Sequence, residues 1–136
     1  MRRTLSFVVG IGLLAATGVP VVAHHAFSSE FDANRPVQMT GTVTKMEWVN
    51  PHSWIHVDVK KPDGTVENWA IEGGTPNTLL RRGLRKTDLP AGTVIKITGF
   101  QAKDGGLRAN GKDLTLADGR QMFLGSSGTG APGEGK

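Results

Sequence analysis

The stretch Ser53-Trp54-Ile55-His56-Val57-Asp58-Val59 decides the fold, because its apolar and polar residues alternate without a break. A period of two is the signature of a half-buried β-strand. Ile55, Val57 and Val59 are expected to face a core, and Trp54, His56 and Asp58 the opposite side. Working back toward the N-terminus, residues 37–49 read as a first strand that sets Val37, Met39 and Val43 on one face and then changes phase to Met46 and Trp48. A phase change inside one strand requires a bulge or a strong bend, expected between Gly41 and Lys45.

Toward the C-terminus, Pro62-Asp63-Gly64 is a turn that returns the chain into residues 65–72, where Trp69 and Ile71 share a core face. Thr75-Pro76 is a helix start: the hydroxyl can cap free amides, and proline's missing donor costs nothing at the first helical position. Leu79, Leu80 and a stop at Gly83 complete one short helix. Residues 93–100, with Ile95 and Ile97 inward, and residues 107–116, extended by 121–124, read as two further strands. Three strands, a short helix and two strands, with a bent first strand, is the element order of an all-β, OB-like five-stranded partly open barrel. A fibronectin-like sandwich would need more strands and no helix.

Outside this domain, assigned to residues 37–124, the flanks differ in composition. Residues 1–23 read as a secretory signal peptide: Arg2-Arg3 is followed by an apolar run over residues 5–16 and by Val21-Val22-Ala23, an acceptable cleavage site. That run falls short of the roughly 18 apolar residues a membrane span needs, so no transmembrane span is expected in the mature chain. The expected location is periplasmic or secreted. Residues 24–36 form an N-terminal segment, and residues 125–136, rich in Gly and Ser, read as a disordered tail. Without Arg2 and Arg3 the 16 Lys and Arg become fourteen against 12 Asp and Glu. So small an excess argues against broad capture of nucleic acid. There is no cysteine, so disulfides and thiolate chemistry are excluded.

Cleavage after Ala23 would leave a chain beginning His24-His25. An N-terminal histidine offers its α-amine and its ring to one ion as a chelate, a nitrogen site of the kind that Cu(II) fills most tightly among common divalent metals. His52, in Asn50-Pro51-His52, is the expected partner, since it lies at a loop edge that a flexible N-terminus could reach. His56 is not: strand residues four apart are separated by about 13 Å, against the about 4 Å that two ligands of one ion can span. Turn capping competes with ligation for His52, and a solvated strand face competes for His56.

Glu30 and Asp32 are the acids nearest the N-terminus and could supply an oxygen ligand or orient a histidine ring. Phe27 and Phe31, four apart, share one face of a helical turn and would pin this segment to the barrel. Trp48 and Trp54, beside His56, could form a stacking surface for a small molecule or glycan. Arg81-Arg82 and Arg85-Lys86, at the end of the short helix, read as a solvated patch that complements the helix dipole. No nucleophile elbow, phosphate loop or two-histidine helix motif is present, so no catalytic residue is assigned.

The run His24-His25-Ala26-Phe27, then Glu30-Phe31-Asp32, Glu47-Trp48 and Asn50-Pro51-His52, resembles a group of small exported bacterial proteins classed as a domain of unknown function. The resemblance continues through Trp69, Glu72, Pro76, Leu79, Arg81 and Gly83 to Asp118-Gly119-Arg120. It implies an exported single domain and supplies no activity. Three functions stay open: a binding or accessory protein holding copper or another divalent metal, a metal-free module for a small molecule, glycan or partner protein, and a small copper-dependent redox enzyme.

Overall fold

A computed structural model describes residues 27–125 and 130–133. The elements run α1 (Phe27–Glu30), β1 (Phe31–Glu47), β2 (Trp54–Lys60), β3 (Val66–Glu72), α2 (Pro76–Arg81), a 3-10 turn (Lys86–Asp88), β4 (Val94–Ala102), β5 (Arg108–Thr115) and β6 (Gln121–Phe123). The sheet order is β3-β2-β1-β4-β5-β6, and a further β3–β5 pairing bends it into a ring. That pairing is parallel and joins three residue pairs, Ala70↔Arg108, Ile71↔Ala109 and Glu72↔Asn110, so the ring is partly closed. The all-β expectation, with a short helix between the third and fourth strands and an OB-like, partly open arrangement, is met. β6 continues from β5 as a short antiparallel addition.

β1 carries the bend where the phase change put it. Its register with β2 shifts between Val43 and Lys45, and Thr44 and Lys45 are consecutively exposed between buried Val43 and Met46. One extra residue therefore resets which side chains face inward. β1 also begins six residues earlier than the apolar pattern implied, at Phe31. Residues 33–36 are all exposed, and β1 pairs there with β4 through Phe31↔Ala102 and Pro36↔Phe100. Pairing rather than amphipathicity makes this part a strand.

The core lies inside the ring. Val43, Ile55, Val57, Ile71, Ile95 and Ile97 are each at most 1 % exposed, and Trp69, Leu114 and Leu124 join them. Trp69 donates its indole N–H to Glu67 Oε2 at 3.0 Å, so its polar edge is satisfied while the ring packs inward. Leu79 anchors α2 in the same core; Thr75 caps that helix by accepting from the Thr78 amide at 3.2 Å, and Gly83 ends it at φ +90°.

A second apolar cluster, Phe27, Phe31, Ala102 and Ala131 with Phe100 against it, lies apart from the main core. Strand alternation puts Phe100 and Ala102 opposite Ile95 and Ile97, hence on the outside of the ring. The Phe27 ring stacks on Phe31 at 5.9 Å and meets Phe100 edge-on at 5.5 Å. Lys103 adds a bond from Nζ to the Ser28 carbonyl. The start of the described chain is thus tied to the outer end of β4, as the Phe27/Phe31 spacing suggested. Among the described residues, no helix is long and apolar enough to cross a membrane.

Candidate functional site

The most unusual chemistry in the described chain is a set of polar side chains taken out of water where the ring closes. His52 is 6 % exposed, Glu72 5 % and Asn110 2 %. Glu72 ends β3 and Asn110 lies in β5, and the two are register partners in the parallel seam. Asn110 Nδ2 donates to Glu72 Oε1 at 3.3 Å, and the same oxygen lies 3.7 Å from His52 Nδ1. His52 enters from the connection before β2, after a cis Asn50–Pro51 peptide bond. The neighbouring Ser53 amide donates to the Gly74 carbonyl at 3.1 Å, and the Ser53 carbonyl accepts from Gly73 at 2.8 Å, which holds the approach to β2 against the end of β3.

Two glycines make the seam possible. A Cβ on Gly99 would run into the Asn110 carbonyl oxygen, and one on Gly111 would come within 2.9 Å of Ile71 Cγ2. Such close backbone approach is available only without a side chain. It lets β4, β5 and β3 carry Phe100, Asn110 and Glu72 side by side, since Phe100 pairs with Asn110 and Asn110 with Glu72. Trp54 pairs with Glu72 on the far side. The outer face therefore presents the row Phe100, Asn110, Glu72, Trp54, and Phe27 packs on its first member. Adjacent strands lie about 4.8 Å apart, so Phe100 and Glu72 are separated by about 10 Å.

The expected site residues are distributed as follows. His24 and His25 lie outside the described residues. His52 was expected at an accessible loop edge; it is buried beside Glu72 instead. His56 lies on the flank of β2, with Nε2 3.4 Å from Glu47 Oε1 and both side chains about one third exposed (35 % and 32 %). Lys45 also bonds Glu47, at 2.5 Å, and that bond is the main reason the Glu47 carboxyl is held below its ordinary value, with His56 adding less. Asp32 spends its carboxylate on the Asn34 amide, at 2.9 Å, and on Arg35, at 3.7 Å. Glu30 accepts from the Lys103 amide through its backbone carbonyl, at 2.9 Å. Trp48 is half-buried against the main core, which leaves less of it for stacking than an open platform would. Trp54 is half-buried in the outer row.

Sequence reasoning missed Glu72 and Asn110 as members of the site. The available signal was alternation: Ile71 faces inward, so Glu72 faces the side that Trp54 and His52 share. Beside His56 an open hollow of about 500 Å³ is lined by Thr44, Lys45, His56, Asp58, Asn68 and Trp69, among others. Arg82, expected to be solvated, donates to the carbonyls of Phe123 at 3.3 Å and Gly125 at 2.5 Å, and lies 4.7 Å over the Phe123 ring. It belongs to the packing of β6. Among the described residues, no group of three or more His, Asp or Glu is arranged to hold a metal ion.

The model of a family described as one of unknown function, DUF6152, matches residues 12–111, a span that includes His24, His25, His52, Glu72 and Asn110. No curated protein matches the chain, and no solved structure does.

Proposed function

Since this chain belongs to the DUF6152 family, whose description carries no activity, we propose a function from its own chemistry: an exported, periplasmic accessory protein that holds one Cu(II) ion. The ligands in this reading are the α-amine and ring of His24, exposed by cleavage after Ala23, with the ring of His52 completing the set and His25 beside it. One observation carries it. Phe27, three residues from His24, packs on Phe100, and the outer row leads from Phe100 through Asn110 to Glu72, which faces His52. Three residues reach about 10 Å when extended, the same as the separation of Phe100 and Glu72 across two strand spacings. A nitrogen-rich set then favours Cu(II) over Zn(II).

Isothermal titration of the processed protein tests this with three samples. The native chain is expected to bind one Cu(II). A chain with one extra N-terminal residue should bind at least tenfold more weakly, because the His24 amine is lost, and His56→Ala should bind as the native chain does. Equal affinity of the native and extended chains would end the proposal. A metal-free module for a small molecule, glycan or partner protein would then be the better account, with the hollow beside His56 as its contact surface.

A further inference from the structure

We infer a ligand site at the end of the ring opposite α2, suited to a small molecule with an apolar body and one carboxylate, and independent of the copper reading above. β3 leads from Val66 toward α2, and Leu79 of that helix is buried in the main core together with Leu84 and Leu89. Those side chains fill the ring where β3 ends. Where β3 begins, β1 and β2 part: their pairing reaches only as far as Thr42↔Asp58, and among the described residues 36–41 of β1 pair with β4 alone. The parting leaves an open hollow of about 410 Å³. Small-molecule sites span roughly 300–1,000 Å³ and favour the mouths of β-barrels.

The walls are apolar. Met39 and Trp69 belong to the main core, and Val37 and Val59 pack against it partly buried, so the hollow opens onto core side chains. Its charged groups decide the sign of the ligand. Lys60, Lys61 and Glu67 line it, two cations against one anion. Both oxygens of Glu67 are engaged: Oε2 accepts from the Trp69 indole at 3.0 Å, and Oε1 accepts from Lys61 Nζ at 3.0 Å. These bonds, that from Trp69 first, hold its carboxyl below the ordinary value, and it is ionised at neutral pH. Asp63, in the adjoining turn, accepts from the Thr65 amide and hydroxyl. A cationic ligand therefore finds no spare carboxylate in the lining. Lys60 is exposed and has no acidic partner among the described residues, so its ammonium is the group left to meet a negative head. Its stem can lie along the apolar wall while the charge stays at the rim.

The test is an NMR titration of the processed protein with three probes that share one carbon chain and differ in the head: octanoate, octanol and octylammonium. Octanoate should give saturable shifts at the methyl groups of Val37, Met39 and Val59 and at the Trp69 indole N–H. It should bind about fivefold more tightly than octanol, the upper range for an exposed ion pair, and octylammonium more weakly than either. Lys60→Met, which keeps an apolar stem at an exposed position, should bring octanoate down to the affinity of octanol and leave octanol unchanged. Added salt should weaken octanoate relative to octanol. Equal affinity for the three heads, a Lys60→Met protein that binds octanoate as the native chain does, or shifts that fail to saturate or fall elsewhere would overturn the site, and the native titration decides its place without any variant.

Discussion

Two histidine–glutamate pairs sit within one short stretch of this chain, and they differ in almost everything except composition. At the seam, His52 and Glu72 approach to 3.7 Å with side chains 7 % and 7 % exposed; on the flank of β2, His56 and Glu47 approach to 3.4 Å with 35 % and 32 % exposed. The shorter distance belongs to the weaker interaction. Water screens the flank pair, and such pairs contribute little to stability. The seam pair has given up most of its hydration, so each member depends on its protein partners, and removing one strands the others. His56 lies within β2, whereas His52 lies in the connection just before it. What separates them is closure: β3 and β5 meet at Glu72, while among the described residues no strand pairing closes over Glu47 in the same way.

The largest expected effect tests the face assignment beneath this contrast. Val57→Asp buries a charge in the ring interior, where Val57 is 1 % exposed, and should cost about 4 kcal/mol or more, lowering the melting midpoint by roughly 15 °C or more. His56→Asp, one residue away on the outside, should leave the midpoint nearly unchanged. Thermal melts in the opposite order would mean that the β2 register is wrong by one residue, and with it the contrast between the histidines.

The next effect compares the carboxylates directly. Glu72→Ala removes the acceptor for the Asn110 amide and the carboxyl group facing His52, and should destabilise the domain by about 2 to 3 kcal/mol. Glu47→Ala, which removes only a solvent-screened pair, should cost much less. Denaturant midpoints measured side by side decide it, and equal losses would show that burial does not distinguish the two pairs.

Much of the ring was legible in local pattern. Residues 53–59 gave Ile55 and Val57 as core, the phase change gave the bulge before Lys45, and Thr75-Pro76 gave the helix start. These features depend on neighbours within a few residues. The seam does not: Glu72 and Asn110 are 38 positions apart, and Glu72 looks like an outward-facing strand acid until β5 is laid beside it. Arg82 was misjudged for the same reason, since its carbonyl partners lie 41 and 43 positions away. Residues 33–36 lack an apolar pattern and become strand through their β4 partner. Of the candidate site, His52 was legible as a residue while its environment was not, because that environment is supplied by tertiary pairing.

The smallest effect sharpens the flank side of the comparison by asking who holds Glu47. Its carboxyl is lowered chiefly by the hydrogen bond from Lys45, while burial opposes the shift and His56 contributes less than Lys45. A carboxyl lowered in the folded state stabilises the fold above its unfolded pKa, and that contribution is lost as pH falls through the folded value, so its window lies at and below about pH 4.5. Lys45→Met should therefore move the Glu47 titration upward, toward the ordinary carboxylate range, and His56→Ala should move it less. Carbon-13 shifts of the Glu47 carboxyl followed against pH give both numbers. If His56→Ala produced the larger move, the flank pair would be a true partnership like that of His52 and Glu72, and burial would no longer separate the two regions; a larger move in Lys45→Met leaves Glu47 as a lysine's partner that His56 merely adjoins.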